Sequence, residues 1–262
     1  MNQSLPAPLD VKLMNLTASV LFLCCVLLLL AAGARWVLRY PGFSVARIVV
    51  QGELVHNNAV TLRANVAPQL VGNFFTLDLR AARTAFEQAP WVRKALVRRE
   101  FPGGLRVVLQ EHDAVAYWGP DTGAALVNSQ GEVFEANVGD VEQEGLPRLV
   151  GPTGSSAQVL QMYGLLQPVF EPLGMAVDEL ELTGRGGWRA TLDSEAVLEL
   201  GGGTPQEVVE RTQRFARTLT QVAAQYQRRA DALESADLRH AGGYALRLRG
   251  VTTVTAQAAA KK

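Results

Sequence analysis

The sequence predicts an α+β protein: a single apolar N-terminal helix, a strand–helix–helix–hairpin unit, and then a β-rich region with two helices. Three observations carry this reading. Residues 16–34, LTASVLFLCCVLLLLAAGA, hold no charge. Residues 43–112 pass from a strand-like run to helical spacing and back to a two-residue alternation. From residue 114 onward, short apolar runs bounded by glycine recur, interrupted twice by helical spacing.

The apolar run comes first. About 19 residues without charge suffice to cross a hydrocarbon layer of ~30 Å. Its leucines, with Val20, Val26 and Phe22, each favour insertion by roughly 0.3–0.6 kcal/mol at the bilayer centre. A cleaved signal peptide is the rival, since Ala32-Gly33-Ala34 has small-residue cleavage character. The run is longer than the ~7–15 residues of a signal h-region, so an anchor is expected. A transmembrane helix over residues 16–38 follows, with a tail over 1–15. Arg35, Trp36, Arg39 and Tyr40 fit a collar of cations and amphipathic rings at the interface. The same arginines, with Arg47, read by the positive-inside rule, favour a cytoplasmic bulk over a translocated one. Both cysteines, Cys24 and Cys25, lie within the run, and the absence of others tolerates an oxidising compartment without proving one.

Pro41-Gly42 ends this helix, and residues 43–52, FSVARIVVQG, predict a strand. Asn57 and Asn58 offer caps for a helix with Ala59, Leu62, Val66 and Leu70 on one face. A second helix shows Leu79, Ala82 and Phe86 and stops at Pro90. Strands over 94–101 and 105–111 follow, and Pro102-Gly103-Gly104 predicts their hairpin turn through the positive φ open to glycine. The second alternates cleanly: Leu105, Val107 and Leu109 against Arg106, Val108 and Gln110.

Beyond residue 114, AVAYWG, ALVNSQGEVFE, LELTGRGGWRATL and AVLELGGG read as strands with glycine turns. One helix over about 156–170 shows Val159, Met162, Tyr163, Leu166 and Phe170, a core stripe rather than a cofactor box. Another runs from Pro205 to about Arg228, with Val208, Phe215, Leu219, Val222 and Tyr226 buried. Thr204-Pro-Gln-Glu207 supplies its capping box. A final strand pair, SADLR and YALRLRG, precedes a polar tail over 252–262 expected to be disordered.

Composition and motifs exclude several functions. With 25 basic and 25 acidic residues in 262, there is no electrostatic footprint for nucleic acid. The glycines of ELGGGTPQEVVER lack both the G-K-[ST] ending of a phosphate loop and a dinucleotide spacing; a strand–turn–capped-helix junction explains them. His56, His112 and His240 are far apart, without metal-ligand spacing, and suit packing or solvation. No nucleophile elbow or S-x-x-K element is present, and Glu111 and Asp113 beside His112 give no catalytic pattern. No enzyme, cofactor, metal or small-molecule substrate is expected.

The ordered motifs resemble a known family. They are NFFTLDL (73–79), PWVRKALVRREFP (90–102), LRVVLQEHDAVAYW (105–118), LVNSQGEVF (126–134), LPRLVGP (146–152), W-x-x-x-L from Trp188, and ADLRHAGGYAL (236–246). Together they look like the FtsQ/DivIB family of bacterial cell-division proteins, across nearly the whole chain. The resemblance implies a POTRA domain over 43–112 and a membrane-distal β domain over 113–251 with an open-edged antiparallel sheet, Trp118 lying at their junction. It also implies a single-pass inner-membrane protein with its bulk in the periplasm at the division septum. No enzymatic activity is implied: the family scaffolds the division machinery, linking early and late proteins, and helps regulate septal peptidoglycan synthesis.

On the same resemblance, the β domain binds the FtsB–FtsL pair by strand addition, and the POTRA domain and membrane helix meet other division proteins. The expected partner-binding residues are Arg239, His240, Gly242, Gly243, Tyr244, Leu246 and Leu248. His240 stands where the family commonly has Tyr, and Leu248 where some members have Trp, so aromatic area is lost while backbone pairing is less affected. The alternative is a POTRA-containing transport or outer-membrane assembly component. That class usually precedes a membrane β-barrel, of which the chain has no strand series.

Overall fold

A continuous helix, α1 (Leu9–Arg39), carries the uncharged run. At 1.5 Å per residue it is ~46 Å long, enough to cross a bilayer with turns to spare. Its apolar side chains are exposed along their length, Phe22 and Leu29 each to 73%, so no surface among the described residues covers them. The computed structural model describes residues 9–52, 54–120, 125–141, 145–240 and 242–251. Part of the expected N-terminal tail and the expected disordered tail at 252–262 lie outside these residues.

Two units follow from the packing, residues 1–111 and 112–262. In the first, β1 (Arg47–Gln51) leads to α2 (Ala59–Val66) and α3 (Leu79–Glu87), then to β2 (Val92–Glu100) and β3 (Gly104–Glu111). The sheet order is β1-β3-β2, with β1 parallel and β2 antiparallel to the central β3. Each helix has a side-chain cap: Asn58 accepts from Val60 N at 2.8 Å, and Asp78 from Arg80 N at 2.7 Å. Leu62, Val66, Ala82 and Phe86 close over Ile48, Leu105, Val107 and Leu109. This is the strand–helix–helix–hairpin order of a POTRA domain.

Two local expectations need correction. The strand expected from residue 43 begins at Arg47, because Pro41–Phe43 coils into a 3-10 turn. The β2–β3 turn does not use left-handed glycine. It turns at a cis Phe101–Pro102 bond, and neither Gly103 nor Gly104 has positive φ. Gly104 is instead confined, since a Cβ there would lie 3.2 Å from the Glu100 carbonyl oxygen.

Among the described residues the second unit is built on one sheet of nine strands. In chain order these are β4 (Ala114–Trp118), β5 (Ala125–Asn128), β6 (Val133–Glu135), β7 (Arg148–Val150), β8 (Val177–Leu182), β9 (Trp188–Leu192), β10 (Val197–Gly201), β11 (Leu233–Asp237) and β12 (Ala245–Leu248). Helix α4 (Ser156–Phe170) joins β7 to β8, and α5 (Pro205–Gln225) joins β10 to β11. The order across the sheet is β12-β11-β10-β9-β8-β7-β4-β5-β6.

The sheet is mixed, where the resemblance implies an antiparallel one: β4–β7, β7–β8 and β10–β11 run parallel. A parallel neighbour needs a long crossover: α4 supplies it between β7 and β8 and α5 between β10 and β11, while the chain from β4 to β7 crosses through the β5–β6 hairpin. Val159, Leu166, Phe170, Val208, Phe215 and Leu219 from the helices join Leu180, Ala190 and Leu198 of the strands in one core. Tyr226 is exposed to 49%, because α5 ends at Gln225, and Thr212 and Ala223 take part in its buried stripe instead. Trp118 packs partly buried against this unit's own core.

Candidate functional site

The sheet's last strand has one neighbour. β12 pairs antiparallel with β11 through Ala236↔Leu246, Asp237↔Ala245 and Ser235↔Arg247, and nothing among the described residues pairs with its other side. The inward direction is fixed by Arg249, whose N–H donates to the Ala232 carbonyl at 2.7 Å. In an antiparallel ladder successive residues turn their peptide groups to opposite sides. The N–H groups of Leu246 and Leu248 therefore face outward, toward the open edge.

Side chains alternate the other way, through the faces of the sheet. Leu248 is 3% exposed and Leu246 packs half-buried on the core. Both can meet a partner strand mainly through their backbones. In particular, the residue at position 248 fills the core, so its departure from Trp changes packing inside the domain rather than a contact surface. Ala245 and Arg247 hold the exposed face of β12, with Arg247 3.2 Å from Glu234 on β11. The sequence-based set lacks these two, although the alternation of YALRLRG carries the signal.

The segment leading into β12 is anchored at three points. Leu238 is buried and its N–H donates to the Glu199 carbonyl at 2.9 Å. Arg239 doubles back on Asp237, its Nε and Nη2 donating to the two carboxylate oxygens at 2.9 and 2.6 Å. The side-chain hydrogen bond from Arg239 outweighs burial and holds the Asp237 carboxyl down at about 2, against an ordinary 3.8. Tyr244 sets its ring edge-on to Phe215 of α5 at 5.0 Å, and its hydroxyl shares a 2.7 Å hydrogen bond with Thr218.

Between these anchors the chain is bare. His240, Gly242 and Gly243 are exposed. A Cβ at Gly242 or Gly243 would meet nothing within 4 Å, and neither has positive φ. The domain's own packing thus gives no reason for glycine at either position, whereas a backbone approached closely by another chain would. Ala241 lies outside the described residues.

A cleft of about 380 Å³ opens between this segment and α5. It brings Arg211, Arg214 and Arg217 to the same wall as His240 and Tyr244. The sequence reading did not single out these arginines. Their spacing of three on one helix face was visible, but only the packing of α5 beside the last hairpin gives them a common neighbour. The adjoining N-terminus of α5 is closed by its own residues: Thr204 Oγ1 accepts from Glu207 N at 3.3 Å, and Glu207 accepts from Thr204 N at 2.8 Å. Gly203 has φ 127°, and a Cβ there would lie 2.6 Å from the Glu207 carboxylate. The glycine loop is thereby accounted for as a cap.

The histidines divide by environment. His56 stacks on Trp91 at 3.7 Å and His112 on Phe134 at 4.0 Å, while His240 is exposed in the cleft. Glu111, beside His112 in sequence, turns instead to the 55–57 loop and accepts the N–H groups of Val55, His56 and Asn57 at 2.9, 3.0 and 2.9 Å.

Comparison with known proteins gives two family matches. Residues 43–112 match the POTRA domain, FtsQ-type, and residues 116–239 match the C-terminal region of cell division protein FtsQ/DivIB. The last hairpin from His240 onward lies beyond the second match. Over their length, relatives carry the likeness further. The cell division protein FtsQ of Burkholderia pseudomallei is 39% identical over 247 residues, covering 94% of this chain and 96% of that protein. That of Thiomonas arsenitoxydans is 39% identical over 246 residues, covering 93% and 89% respectively. That of Neisseria meningitidis is 29% identical over 227 residues, covering 87% and 92%.

Proposed function

The chain belongs to the FtsQ/DivIB family of cell-division proteins, and from that premise we propose that it is a non-enzymatic scaffold whose β12 edge receives a strand from the FtsB–FtsL pair. With its single apolar N-terminal helix it is a single-pass membrane protein of cell division. On this reading α1 sits in the inner membrane, both folded units lie in the periplasm at the septum, and strand addition at β12 links early and late division proteins and helps regulate septal peptidoglycan synthesis. Other division proteins meet the POTRA domain and the membrane helix. Arg35 and Arg39 at the end of α1, with Arg47 beyond it, run against this orientation by simple charge counting, and the family outweighs them. A translocated bulk predicts that protease added to spheroplasts removes an epitope placed after Lys262; protection until lysis would reverse the orientation.

One observation carries the binding proposal: a terminal strand whose outward N–H groups, at Leu246 and Leu248, have no strand partner among the described residues, beside a glycine pair with open space around it. An added strand draws affinity from main-chain hydrogen bonds and specificity from neighbouring side chains. Here those neighbours are His240, Tyr244 and the arginines of α5, with Arg239 beside them, and the arginines favour a partner segment carrying carboxylates.

Leu246→Pro is the direct test. It deletes an outward donor and leaves the β11 ladder intact, as proline at a sheet edge can. Calorimetry against the periplasmic segments of FtsB and FtsL, with circular dichroism as the control for folding, should show binding weakened by about tenfold or more, the worth of one or two lost hydrogen bonds and a steric misfit. Arg239→Glu should weaken it too, and His240→Tyr should hold or strengthen it by restoring a ring. Undiminished binding by Leu246→Pro and Arg239→Glu together would place the partner elsewhere.

A further inference from the structure

The aromatic rings that begin on α1 do not stop at its end. Trp36 lies 5.3 Å from Tyr40 between ring centroids, Tyr40 6.1 Å from Phe43, and Phe43 5.1 Å from Phe75. Phe75 is 5.2 Å from Phe74, which is 6.5 Å from Phe101. Three separate stretches of chain therefore converge: the end of α1 with its 3-10 turn, the loop before α3, and the β2–β3 turn. Of these rings only Phe74 is buried, whereas Trp36 is 67%, Tyr40 47%, Phe75 47% and Phe101 82% exposed.

The cluster occupies the end of the first unit from which α1 departs. Arg47, the first residue of β1, pairs with Gly104, and Ala46 N donates to the Gly103 carbonyl at 2.9 Å, which puts the Phe101 turn at that end. The Phe74–Phe75 loop is tied to the same place. Phe74 N donates to the Phe43 carbonyl at 2.7 Å, and the Asn73 side-chain amide donates to the Leu38 carbonyl of α1. Arg99 fixes the loop from the other side, donating to the carbonyls of Phe74 and Leu77 at 2.6 Å each.

Aromatic rings with one apolar and one wet side collect at the headgroup level of membranes. Trp36 and Tyr40 already stand there by their place at the end of a helix that spans the membrane. We propose that Phe43, Phe75 and Phe101 continue this belt into the folded unit, so that the POTRA domain is seated on the headgroup–acyl boundary of the bilayer that α1 crosses. The occupant is the lipid surface because the patch is continuous with the helix's own interfacial rings. Tethering holds it beside that surface, so even modest apolar contact suffices. The seat would restrain the swivel of the domain about residues 40–46 and give its sheet a defined inclination to the membrane. This inference rests on α1 spanning the bilayer and is independent of what binds at β12.

Site-directed spin labelling of the full chain tests it. In a Cys24→Ser, Cys25→Ser background, single labels are placed at Phe101→Cys and Phe75→Cys, with Val55→Cys as the control. Val55 is exposed to 82% but sits where the 55–57 loop meets Glu111, at the opposite end of β3. Each protein is reconstituted at one copy per nanodisc of phosphatidylethanolamine and phosphatidylglycerol, and its fold checked by circular dichroism. The labels at 101 and 75 should be reached by oxygen and shielded from a water-soluble nickel chelate, at a depth of about 5–10 Å, as for other apolar faces at this boundary. The label at 55 should report bulk water. Labels at 101 and 75 that match 55 would overturn the proposal, as would shielding that appears only in discs holding two copies.

Discussion

Removing the Glu111 carboxylate should loosen the first unit at one identifiable loop. The carboxylate accepts three backbone N–H groups, from Val55, His56 and Asn57, and a fourth hydrogen bond from the Asn57 side chain at 2.9 Å, while its side chain is only 7% exposed. A hydrogen bond to a charged group contributes roughly 1.5–3 kcal/mol. Four summed in full would rival the roughly 5–15 kcal/mol of a whole domain, so the sum must be discounted for water, which reaches Val55 freely at 82% exposure. Glu111→Ala should then destabilise by about 3 kcal/mol, and Glu111→Gln, which keeps one acceptor oxygen, by about half as much. The pH dependence has a definite sign. Burial pushes this carboxyl upward, but the N–H groups of His56, Val55 and Asn57 prevail and hold it below 4.5. A depressed carboxyl stabilises above its unfolded value and loses that contribution as pH falls through the folded one. Amide exchange at Val55, His56 and Asn57, read in the full chain in detergent, should accelerate in both variants, and acid sensitivity of these amides should be smaller in Glu111→Gln than in the parent. Protection in Glu111→Ala within about 0.5 kcal/mol of the parent, the scatter of ordinary surface changes, would refute the clamp.

Phe170→Ala, at a side chain with 0% exposure, should cost about 3–5 kcal/mol through the cavity it leaves, read by urea unfolding followed at Trp188. Thr204→Ala removes the hydroxyl of the capping box and should cost about 1 kcal/mol, with faster amide exchange confined to the first turn of α5. The Asp237 carboxyl should titrate at about 2 by carbon NMR and move toward 3.8 in Arg239→Gln. Because it is depressed, its pairing with Arg239 is present at neutral pH and lost only as pH falls from about 4 toward 2.

What could be read beforehand follows from the range of each interaction. The capping box at Thr204 and the stripes of α3 and α4 are local patterns, satisfied within a turn or two of chain, and they stand where the periodicity puts them. Tyr226 breaks the pattern because helix ends are set by what the next segment does: Arg228 N already donates back to the Ala223 carbonyl, and the chain leaves. β7 has three residues, Arg148–Val150, too few for any period, and it becomes a strand only because β4 and β8 flank it. The candidate site was legible as a segment but not as a surface. Alternation in YALRLRG marks a strand; which of its faces is core depends on α5, whose Phe215 supports Tyr244 and whose arginines line the cleft. Leu248 shows the consequence. Read as a sequence position it stands at an interface, while in the fold its side chain belongs to the interior.

An exposed edge strand is usually a liability, a row of unpaired donors open to any extended chain. The edge here is short, four residues, and carries Arg247 on its exposed face, two features that limit promiscuous pairing. It is also held still. Arg249 ties its far end to the Ala232 carbonyl, Tyr244 and Thr218 tie its near end to α5, and Leu246 and Leu248 are packed between. A strand fixed on three sides would lose little freedom under the proposed strand addition, so the ordering cost of association would fall on the incoming segment. Selectivity then depends less on the four-residue ladder, whose hydrogen bonds any backbone can make, than on what flanks it. A strand that leaves Gly242–Gly243 uncovered, or brings cations toward Arg211, Arg214 and Arg217, would find the same donors at Leu246 and Leu248 but a repulsive neighbourhood. On the proposed strand addition, the backbone of β12 would supply affinity and α5 discrimination, two elements separated in sequence by β11 and the 238–244 segment.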